Sequence, residues 1–259
     1  MLVSVTVPTW NREDRLAALH QRFAQQTWGG ELELVILDDS DAPSRYFREV
    51  RDPRVTYVHA PTRATIGAKR DRLLALARGE IHLHFDDDDL YAPDYVTRTL
   101  AHLGEHDFFT YSAWHLYRES DRSVWRWDTR KLADRHYVVE GPALPPRQLA
   151  LYDHLQSAER RAAWLHRNQW GYGFKYAYRR DAARAVGFAD LRHGSDYELV
   201  RGLIERGASL RTAPDDDGVA IHVMQPTSTS RCFPQARVPE HLARRLVALP
   251  SDALDPASA

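Results

Sequence analysis

The sequence predicts an α/β fold with a mostly parallel sheet and helices on both faces. Three observations support this prediction. Apolar β-branched segments alternate with helical periodicity in the N-terminal part, a hydrophobic content of 43% allows a sizeable core, and polar clusters follow the predicted strands. In sheets of this kind, ligands bind beyond the carboxyl ends of the strands, so the polar clusters mark the expected binding edge.

The elements of the N-terminal part follow from their residue patterns. Short runs of β-branched and aliphatic residues predict strands, and apolar residues that recur every three or four positions predict helices. The predicted strands are 2–7, 32–37, 55–59 and 81–85. The predicted helices are 12–26, with Asn11 as its N-cap, 66–77 and 93–103.

The second half of the chain is less regular. Aromatic and polar residues alternate between 108 and 127, which is typical of core or cross-strand pairs. A proline break at 142–146 precedes an arginine-rich amphipathic stretch at 147–167. A strand is expected at 219–223 and a polar, mobile loop at 226–231.

Two helices are expected near the end of the chain. In "RHGSDYELVRGLIERG", Ser195 is the expected N-cap and Glu198 completes a capping box. A terminal helix is expected at 240–249, where a solvated helix is the simpler interpretation and peripheral contact with a membrane surface the alternative.

The composition limits the classes of function. Lys and Arg number 35 and Asp and Glu number 36, so no net field would attract nucleic acid or an anionic membrane. The single cysteine, Cys232, excludes an intrachain disulfide framework and a cysteine-rich zinc site. No segment reaches the roughly 18 apolar residues of a spanning helix, and the N-terminus lacks signal-peptide features. We therefore expect a cytoplasmic protein with no nucleic-acid partner and no transmembrane segment.

Three polar clusters follow predicted strands and should share one edge of the sheet. They are Pro8, Thr9, Trp10, Asn11 and Arg12 after the first strand, Asp38, Asp39, Ser40 and Asp41 after the second, and Asp86, Asp87, Asp88 and Asp89 after the fourth. A single acid after a strand commonly caps a turn or a helix, which suffices for Asp41 and Asp94. Four adjacent aspartates exceed what a cap needs, because a cap uses one side chain while the others repel each other. The acidic run therefore predicts a metal or ligand site.

The acidic run suits a hard divalent cation. Mg²⁺ and Mn²⁺ take carboxylate oxygens and keep several waters, so an Asp-x-Asp pair on a loop is a natural site for them. Such ions usually accompany phosphate, but no glycine-rich phosphate loop follows any predicted strand. The metal and the pair Lys69 and Arg70 are the candidates to offset phosphate charge, although a solvated helix face is the simpler interpretation of that pair.

Four blocks of sequence carry a resemblance when they are taken together. They are "VSVTVPTWNREDRL", "LELVILDDSDAPS", "TIGAKRDRLLALARGEIHLHFDDDDLYAPDYV" and "GFADLRHGSDYELVRGLIERG". Their ordered combination resembles the glycosyltransferase family 2 enzymes, which have the GT-A fold. The resemblance implies a nucleotide-sugar-binding portion at 1–103 and an acceptor-binding and catalytic-base portion at 104–250, and we expect a disordered tail at 251–259.

The resemblance also implies the type of reaction. It implies an inverting, hexosyltransferase-type transfer from a nucleoside-diphosphate sugar to an acceptor hydroxyl, assisted by Mn²⁺ or Mg²⁺. A UDP-sugar is the favoured donor, with deoxythymidine and guanosine as alternative bases. The acceptor is a glycan, a lipid, a small molecule or a protein.

Individual residues take roles from the same resemblance. Asp86 and Asp88 match the ends of the Asp-x-Asp signature, with Asp88 as the first choice of metal ligand and Asp86 reaching metal, ribose or a bound water. Asp196 matches the general base that takes the acceptor proton, with Ser195 in place of the first acid of a pair. The alternative is that Asp196 only complements the helix dipole. His222 stands where some GT-A enzymes supply a further metal ligand.

The remaining candidates would contact the nucleotide or the substrate. Thr9 and Asp39 would lie near the nucleobase, and Arg70 matches a basic position that an Asn usually follows, whereas Asp71 follows here. Trp170 could form the floor of an acceptor site, with core packing as the alternative. The full set of predicted binding residues is Pro8, Thr9, Asn11, Arg12, Asp38, Asp39, Lys69, Arg70, Asp86, Asp87, Trp170 and His193.

Other classes share parts of this pattern. A nucleotidyltransferase would be expected to carry a glycine-rich basic loop where "PTWNRED" stands. A metal-dependent phosphatase of the haloacid type would place Asp-x-Asp after its first strand. A non-catalytic Ca²⁺-dependent carbohydrate-binding protein, or a pseudo-enzyme that binds only the donor, would explain the acids without a role for Asp196.

Overall fold

The chain forms two compact units in the computed structural model, which describes residues 1–141, 145–149, 155–228 and 230–255. Unit 1 comprises Met1–Asp88, Pro93–Thr110 and Trp170–Thr212. Unit 2 comprises Asp89–Ala92, Tyr111–Gln169 and Ala213–Ala259. The predicted nucleotide-sugar-binding portion therefore lies in unit 1 except for Asp89–Ala92, and Asp196 lies in unit 1 as well.

The described residues form strands and short helices. In chain order the strands are β1 (Leu2–Thr9), β2 (Glu31–Asp38), β3 (Val55–His59), β4 (Ile81–His84), β5 (Leu90–Tyr91), β6 (Phe108–Arg118), β7 (Ser123–Asp128), β8 (His136–Glu140), β9 (Arg147–Leu149), β10 (Ala177–Arg179), β11 (Leu210–Pro214), β12 (Ala220–Met224), β13 (Arg231–Cys232) and β14 (Ala236–Arg237). The helices are α1 (Glu13–Ala24), α2 (Arg45–Glu49), α3 (Ile66–Leu76), α4 (Tyr95–Leu103), α5 (Ala158–Trp170), α6 (Arg180–Arg184), α7 (Ser195–Glu205) and α8 (Glu240–Ala243), and a 3₁₀ turn spans Gly173–Lys175. Every strand and helix predicted for the N-terminal part is present, with ends shifted by a few residues.

The sheet of unit 1 has the strand order β10-β4-β1-β2-β3. β1 pairs in parallel with β2 and β4, β2 pairs in parallel with β3, and β10 is antiparallel to β4. In β1 the side chains of Val3, Val5 and Val7 are fully buried, and those of Ser4 and Thr6 are buried too. Both faces of this central strand are therefore covered, as in parallel sheets generally. The predicted mainly parallel sheet is confirmed for this unit.

The parallel register brings the carboxyl ends of β1, β2 and β4 to one edge. Thr9 at the end of β1 is opposite Asp38 at the end of β2. Thr6 is opposite His84, the last residue of β4, so the acidic run that begins at Asp86 follows at the same edge. The shared edge predicted for these polar residues is confirmed.

Two predicted N-caps are wrong. Asn11 has a φ of 50°, a left-handed conformation that asparagine tolerates, and Arg12 takes the N-cap position of α1 without a side-chain cap. Gly194, with a φ of 86°, is the N-cap of α7, and Ser195 is the first helical residue. Glycine reaches this conformation without a steric penalty, so the chain turns sharply into the helix there.

Unit 2 is built mainly from antiparallel strands. β6 pairs with β7 and β7 with β14 in antiparallel fashion, while β12 is parallel to β6 and antiparallel to β5. β8 lies between β9 and β13 in a separate sheet. Trp114 is opposite Trp127, with ring centroids 5.1 Å apart and both side chains fully buried. The prediction that the aromatic residues of this region include core and cross-strand pairs is confirmed.

In the arginine-rich stretch 147–167, the described residues include strand β9 and most of helix α5. The terminal helix predicted at 240–249 is wrong in extent. The terminal helix ends at Ala243, after which the N–H groups of Arg245 and Leu246 donate three residues back, to Leu242 and Ala243, and those of Val247 and Ala248 donate to the carbonyls of Asp217 and Gly218. This path buries Leu246 in an apolar cluster.

Some predicted segments fall partly on residues outside the described ranges. This applies to the proline break, the arginine-rich stretch, the polar loop and the tail, through 142–144, 150–154, 229 and 256–259. Within the described part of the tail, Ala253 and Leu254 pack against the same apolar cluster as Leu246.

Candidate active site

The loop after β2 is ordered by Asp38. Its Oδ1 accepts hydrogen bonds from the Ser40 backbone N–H at 2.9 Å and from the Ser40 hydroxyl, and its Oδ2 accepts the Tyr57 hydroxyl at 2.5 Å. Burial and the hydrogen bond to Asp38 raise the pKa of Tyr57, which keeps this hydroxyl a donor. Asp38, predicted as a binding residue, is only 2% exposed and holds the loop in shape.

The next carboxylate, Asp39, joins the loops after β1 and β2. Its Oδ1 accepts from Lys69 Nζ at 2.7 Å and from the Arg63 guanidinium at 2.8 Å, and its Oδ2 accepts from the Ala64 N–H at 2.9 Å. Lys69 Nζ also donates to the Thr9 carbonyl at 3.0 Å. Burial lowers the pKa of Lys69, while the hydrogen bond and charge of Asp39 act in the opposite direction. Lys69 is therefore a buried cross-link and not the solvated residue that the sequence suggested.

An exposed aromatic residue stands directly after β1. Trp10 is 42% exposed, and the Arg63 guanidinium lies over its ring at 3.9 Å from the centroid. Because Arg63 also binds Asp39, the aromatic face and that carboxylate are linked through one side chain. A Trp face in this position is suited to stacking with a planar heterocycle. The set of binding residues predicted from the sequence includes neither Trp10 nor Arg63. A large aromatic residue directly after a strand is a signal that could have identified Trp10.

The four consecutive aspartates alternate between partly exposed and buried. The side chains of Asp86 and Asp88 are 28% and 16% exposed. Asp87 and Asp89 are buried, and Asp87 accepts a 2.5 Å hydrogen bond from the Thr9 hydroxyl. Burial, with Asp88 beside it, raises the pKa of Asp87 to about 7. Only half of the run therefore presents carboxylates to a ligand, and Asp87 anchors the loop to β1.

Arg70 is buried and faces two carboxylates of the predicted site. Its side chain is 4% exposed, its NH2 lies 3.2 Å from Asp86 Oδ1, and its Nε lies 3.3 Å from Asp196 Oδ1. Burial alone lowers the pKa of Arg70, but the charges of Asp196 and Asp86 raise it, and the net change is upward. One guanidinium thus links the acidic run to the predicted base.

His84 supports this arginine from the end of β4. Its Nδ1 contacts Arg70 NH1, and its Nε2 lies 2.9 Å from the Tyr178 hydroxyl. Burial and the charge of Arg70 place the pKa of His84 well below its ordinary value. The ring is therefore neutral, and its Nδ1 also lies 2.8 Å from the Gly173 carbonyl oxygen, to which a protonated Nδ1 would donate. His82, on the same strand, is also buried, which lowers its pKa to about 4.

Asp196 lies in the first turn of α7 and packs against the 3₁₀ turn. Its side chain is 18% exposed. A Cβ added to Gly173 would lie 2.5 Å from Asp196 Oδ1 and 2.6 Å from Oδ2. Real Cβ contacts are not this short, so only a glycine at position 173 leaves room for the carboxylate. Sequence reasoning gave no signal for Gly173, because the contact joins two segments that are distant in the chain.

The remaining predicted residues of unit 1 are Pro8, Asn11, Arg12, Trp170 and His193. Arg12 forms an ion pair of 3.5 Å with Asp88. Pro8 is buried at the end of β1, and Asn11 and His193 are exposed. Trp170 is 9% exposed and packs in an apolar cluster, where its ring contacts Phe108 edge to face. Core packing accounts for Trp170, and we leave it out of the site proposed below.

His222 lies in unit 2 and is held by the last aspartate of the run. Its Nδ1 lies 2.9 Å from Asp89 Oδ1, and the same oxygen accepts the Val223 N–H at 2.8 Å. A carboxylate on Nδ1 fixes the ring orientation, as it does for many metal-binding histidines that coordinate through Nε2. The metal-ligand role of His222 stays a prediction.

The donor set on the acidic run fits a hard divalent cation. Among the residues that the structure describes, no group of three or more His, Cys, Asp and Glu side chains is arranged to hold a metal ion. Mg²⁺ and Mn²⁺ that act on phosphates usually take only one or two carboxylates and complete their shell with phosphate oxygens and water. Asp86 and Asp88, both partly exposed, meet that smaller requirement.

Comparisons with known sequences show the family that this chain resembles. The model of the family described as Glycosyl transferase family 2 matches residues 4–187. WcaA of Escherichia coli (strain K12), named as a colanic acid biosynthesis glycosyl transferase, is 31% identical over 105 residues, which cover 39% of this chain and 37% of the relative. An N-acetylglucosaminyltransferase of Mesorhizobium japonicum is 30% identical over 104 residues, covering 37% of this chain and 24% of the relative. The chain thus matches well under half the length of these curated relatives.

Solved structures share the fold at low sequence identity. S. aureus TarS has a TM-score of 0.60 at 19% identity, over 87% of this chain and 37% of that one. TarS 1-349 in complex with UDP-GlcNAc has a TM-score of 0.58 at 19% identity, over 94% of this chain and 61% of that one. The mannosyltransferase PcManGT of Pyrobaculum calidifontis, in complex with GDP-Man and Mn²⁺, has a TM-score of 0.55 at 19% identity, over 85% and 56%.

The fold and the family expected from the sequence are both confirmed. No helix in the described ranges is long and apolar enough to cross a membrane. The matched residues 4–187 include β1, the acidic run and most of unit 1, and they extend over more than half of the chain. This chain, a mixed α/β protein with the GT-A-like fold, belongs to glycosyl transferase family 2.

Proposed function

We propose that the chain transfers a sugar from a nucleoside-diphosphate sugar, with a UDP-sugar favoured, to an acceptor hydroxyl, with inversion of configuration and with Mn²⁺ or Mg²⁺ as the cofactor. The observation that carries this proposal is the arrangement within unit 1, where one buried arginine joins the partly exposed Asp86 to the partly exposed Asp196. Family membership and the position of the acidic run after β4 disfavour the phosphatase and nucleotidyltransferase alternatives.

The nucleotide is proposed to bind at the loops after β1 and β2. The exposed face of Trp10 would stack on the base. Asp39, whose side chain is 1% exposed and accepts from Lys69, Arg63 and Ala64, would hold the base-binding edge in place through Arg63. This part of the proposal is supported by the link between Trp10 and Asp39 through Arg63.

The diphosphate is proposed to bind at the acidic run with the metal. Asp88 is the first choice of ligand and Asp86 the second. When bound, the metal supplies charge neutralisation for the departing diphosphate. Arg12, paired with Asp88 at 3.5 Å, is a cation near this ligand.

Asp196 is proposed to remove the proton from the acceptor hydroxyl. An inverting transfer needs one base on the acceptor side, and metal at the leaving group removes the need for an acid there. The first turn of α7 is a rigid platform, and the helix dipole favours an ionised carboxylate at that position. Asp196 lies beyond the range that the family model matches, so its role rests on these physical features and on the sequence block around it.

Turnover of donor without an added acceptor tests the proposal. UDP-N-acetylglucosamine and GDP-mannose are the donors to supply, with water as the acceptor and with Mn²⁺, Mg²⁺ or EDTA. We expect metal-dependent release of UDP or GDP, lost in EDTA, and the β-anomer as the first-formed sugar from an α-linked donor, read by time-resolved NMR before mutarotation mixes the anomers. Donor release that is unaffected by EDTA, or an α-anomer as the first-formed product, would contradict the proposal.

Gly173→Ala is expected to lower kcat about 100-fold while leaving nucleotide affinity within about threefold. The added Cβ would collide with the Asp196 carboxylate and displace it from the acceptor. Steady-state kinetics and nucleotide titration measure the two effects. Gly29→Ala is the matched control, because a Cβ there meets no atom within 4 Å, and its kcat should equal that of the wild type. A fully active Gly173→Ala variant would show that the position of the Asp196 carboxylate does not affect kcat.

A further inference from the structure

We propose that Arg70 is the residue that positions the base Asp196, and that it does not bind the donor directly. This inference rests on the proposed function and deepens it. The sequence assigned Arg70 to the diphosphate, as a basic side chain near the donor. Its surroundings in unit 1 favour a different role.

The guanidinium is fixed from three sides. Nε faces Asp196 Oδ1 at 3.3 Å, NH2 faces Asp86 Oδ1 at 3.2 Å, and NH1 contacts His84 Nδ1. His84 is in turn held by the Tyr178 hydroxyl at 2.9 Å. With a side chain that is 4% exposed, Arg70 lies beneath the carboxylates instead of projecting toward bulk solvent. A ligand that approaches Asp86 or Asp196 from solvent would meet those carboxylates first.

The charges around Arg70 explain why the position requires a permanent cation. Asp86 and Asp196 are both acids, while burial lowers the pKa of His84 and raises the pKa of Tyr176 and Tyr178, which leaves these three groups neutral. Without Arg70, two carboxylates would share a poorly solvated region and repel each other, which would move the Asp196 carboxylate from its place against Gly173.

Arginine suits this position better than lysine. Its guanidinium keeps its proton in proteins and offers donors in a planar fork, so it can meet two carboxylates and a histidine at once. A lysine ammonium is a single point of charge at the end of a flexible chain. Arg70 therefore supplies both the charge and the geometry that hold Asp196 against Gly173.

A double-mutant cycle tests this role. The variants are Arg70→Gln, Asp196→Asn and the two together, with kcat measured as UDP release from UDP-N-acetylglucosamine in Mn²⁺ and Kd measured for UDP in Mn²⁺. We expect Arg70→Gln alone to lower kcat about 100-fold with the Kd changed less than about threefold. In the Asp196→Asn background the same substitution should lower kcat by less than about threefold, because the residue through which it acts is already inactive.

Two further variants control for folding and for general loss of charge. Arg72→Gln removes an exposed arginine from the same helix, α3, and should leave kcat and Kd unchanged. If Arg70→Gln fails to fold, Arg70→Lys replaces it in the cycle. Lysine retains the charge but not the fork, so we expect it to recover part of the activity, about 10-fold below the wild type.

The possible results separate this inference from the function on which it rests. Losses of kcat that multiply in the double variant, or a Kd for UDP that rises 10-fold or more in Arg70→Gln, would overturn the positioning role and favour direct donor contact. A wild-type chain that releases no UDP, or an Asp196→Asn variant with full activity, would overturn the proposed function and this inference with it. That second outcome is visible before any Arg70 variant is made.

Discussion

Asp196→Asn is expected to lower kcat of sugar transfer about 10²–10⁴-fold, which is the usual contribution of a general base. The amide has nearly the shape of the carboxylate but cannot accept the acceptor's proton at neutral pH. The proposed metal and nucleotide contacts lie on the acidic run and on the loops after β1 and β2, so the Kd for UDP in Mn²⁺ should stay within about twofold. Steady-state kinetics and calorimetric titration of the same preparation give both values.

The matched control for this variant is Glu198→Gln. Glu198 lies in the same first turn of α7 and pairs with Arg201 at 2.5 Å on the exposed side of the helix. The helix dipole therefore acts on Glu198 as it does on Asp196, but Glu198 lacks the ion pair with Arg70 that Asp196 forms. We expect its kcat to match the wild type within experimental error, since exposed pairs contribute little. An Asp196→Asn chain as active as Glu198→Gln would leave only the helix-dipole interpretation of Asp196.

Asp88→Asn is expected to abolish metal-dependent nucleotide binding. An amide oxygen is a weaker ligand than a carboxylate for Mg²⁺ or Mn²⁺, and Asp88 is a partly exposed carboxylate beside the cation Arg12. In the wild type, UDP at about 100 times its Kd should add about 2.7 kcal/mol to the free energy of unfolding. In the variant this metal-dependent gain should fall close to zero.

Asp41→Asn is the control for the loss of one negative charge. Asp41 is exposed on the loop after β2 and carries no proposed contact with the metal. Its metal-dependent stabilisation by UDP should equal that of the wild type, measured by thermal unfolding in Mn²⁺ and in EDTA. If Asp88→Asn keeps the full Mn²⁺-dependent gain, another group must hold the metal, and Asp86 becomes the ligand to test.

The parts of the fold that local pattern determines were predictable from the sequence. β1 to β4 and helices α1, α3 and α4 follow from the spacing of apolar residues, and parallel pairing then aligns the strand ends. Four adjacent acids were a strong local signal because no turn or cap requires them. These features depend on residues that are close in the chain, which is why the sequence alone carried them.

The partners of the site residues were not predictable in the same way. Whether Asp87 turns inward to Thr9, or Arg70 meets Asp196, depends on how distant segments pack. The first turn of α7 shows that a local prediction can fail as well. Ser195 was expected to be the N-cap, but Gly194 takes that position with a left-handed backbone conformation. Gly173 shows a further limit of sequence patterns, because a missing side chain gives no chemical signal of its own.

Thermal unfolding of the wild-type chain with UDP, dTDP and GDP, each in Mn²⁺, Mg²⁺ or EDTA, tests most directly whether unit 1 is a metal-dependent nucleotide site. The expected result is a rise in stability that is selective for one nucleotide, largest for UDP, that requires a divalent cation and disappears in EDTA. If no nucleotide changes the unfolding temperature with either metal, the acidic run is not a donor site, and the proposed sugar transfer is contradicted.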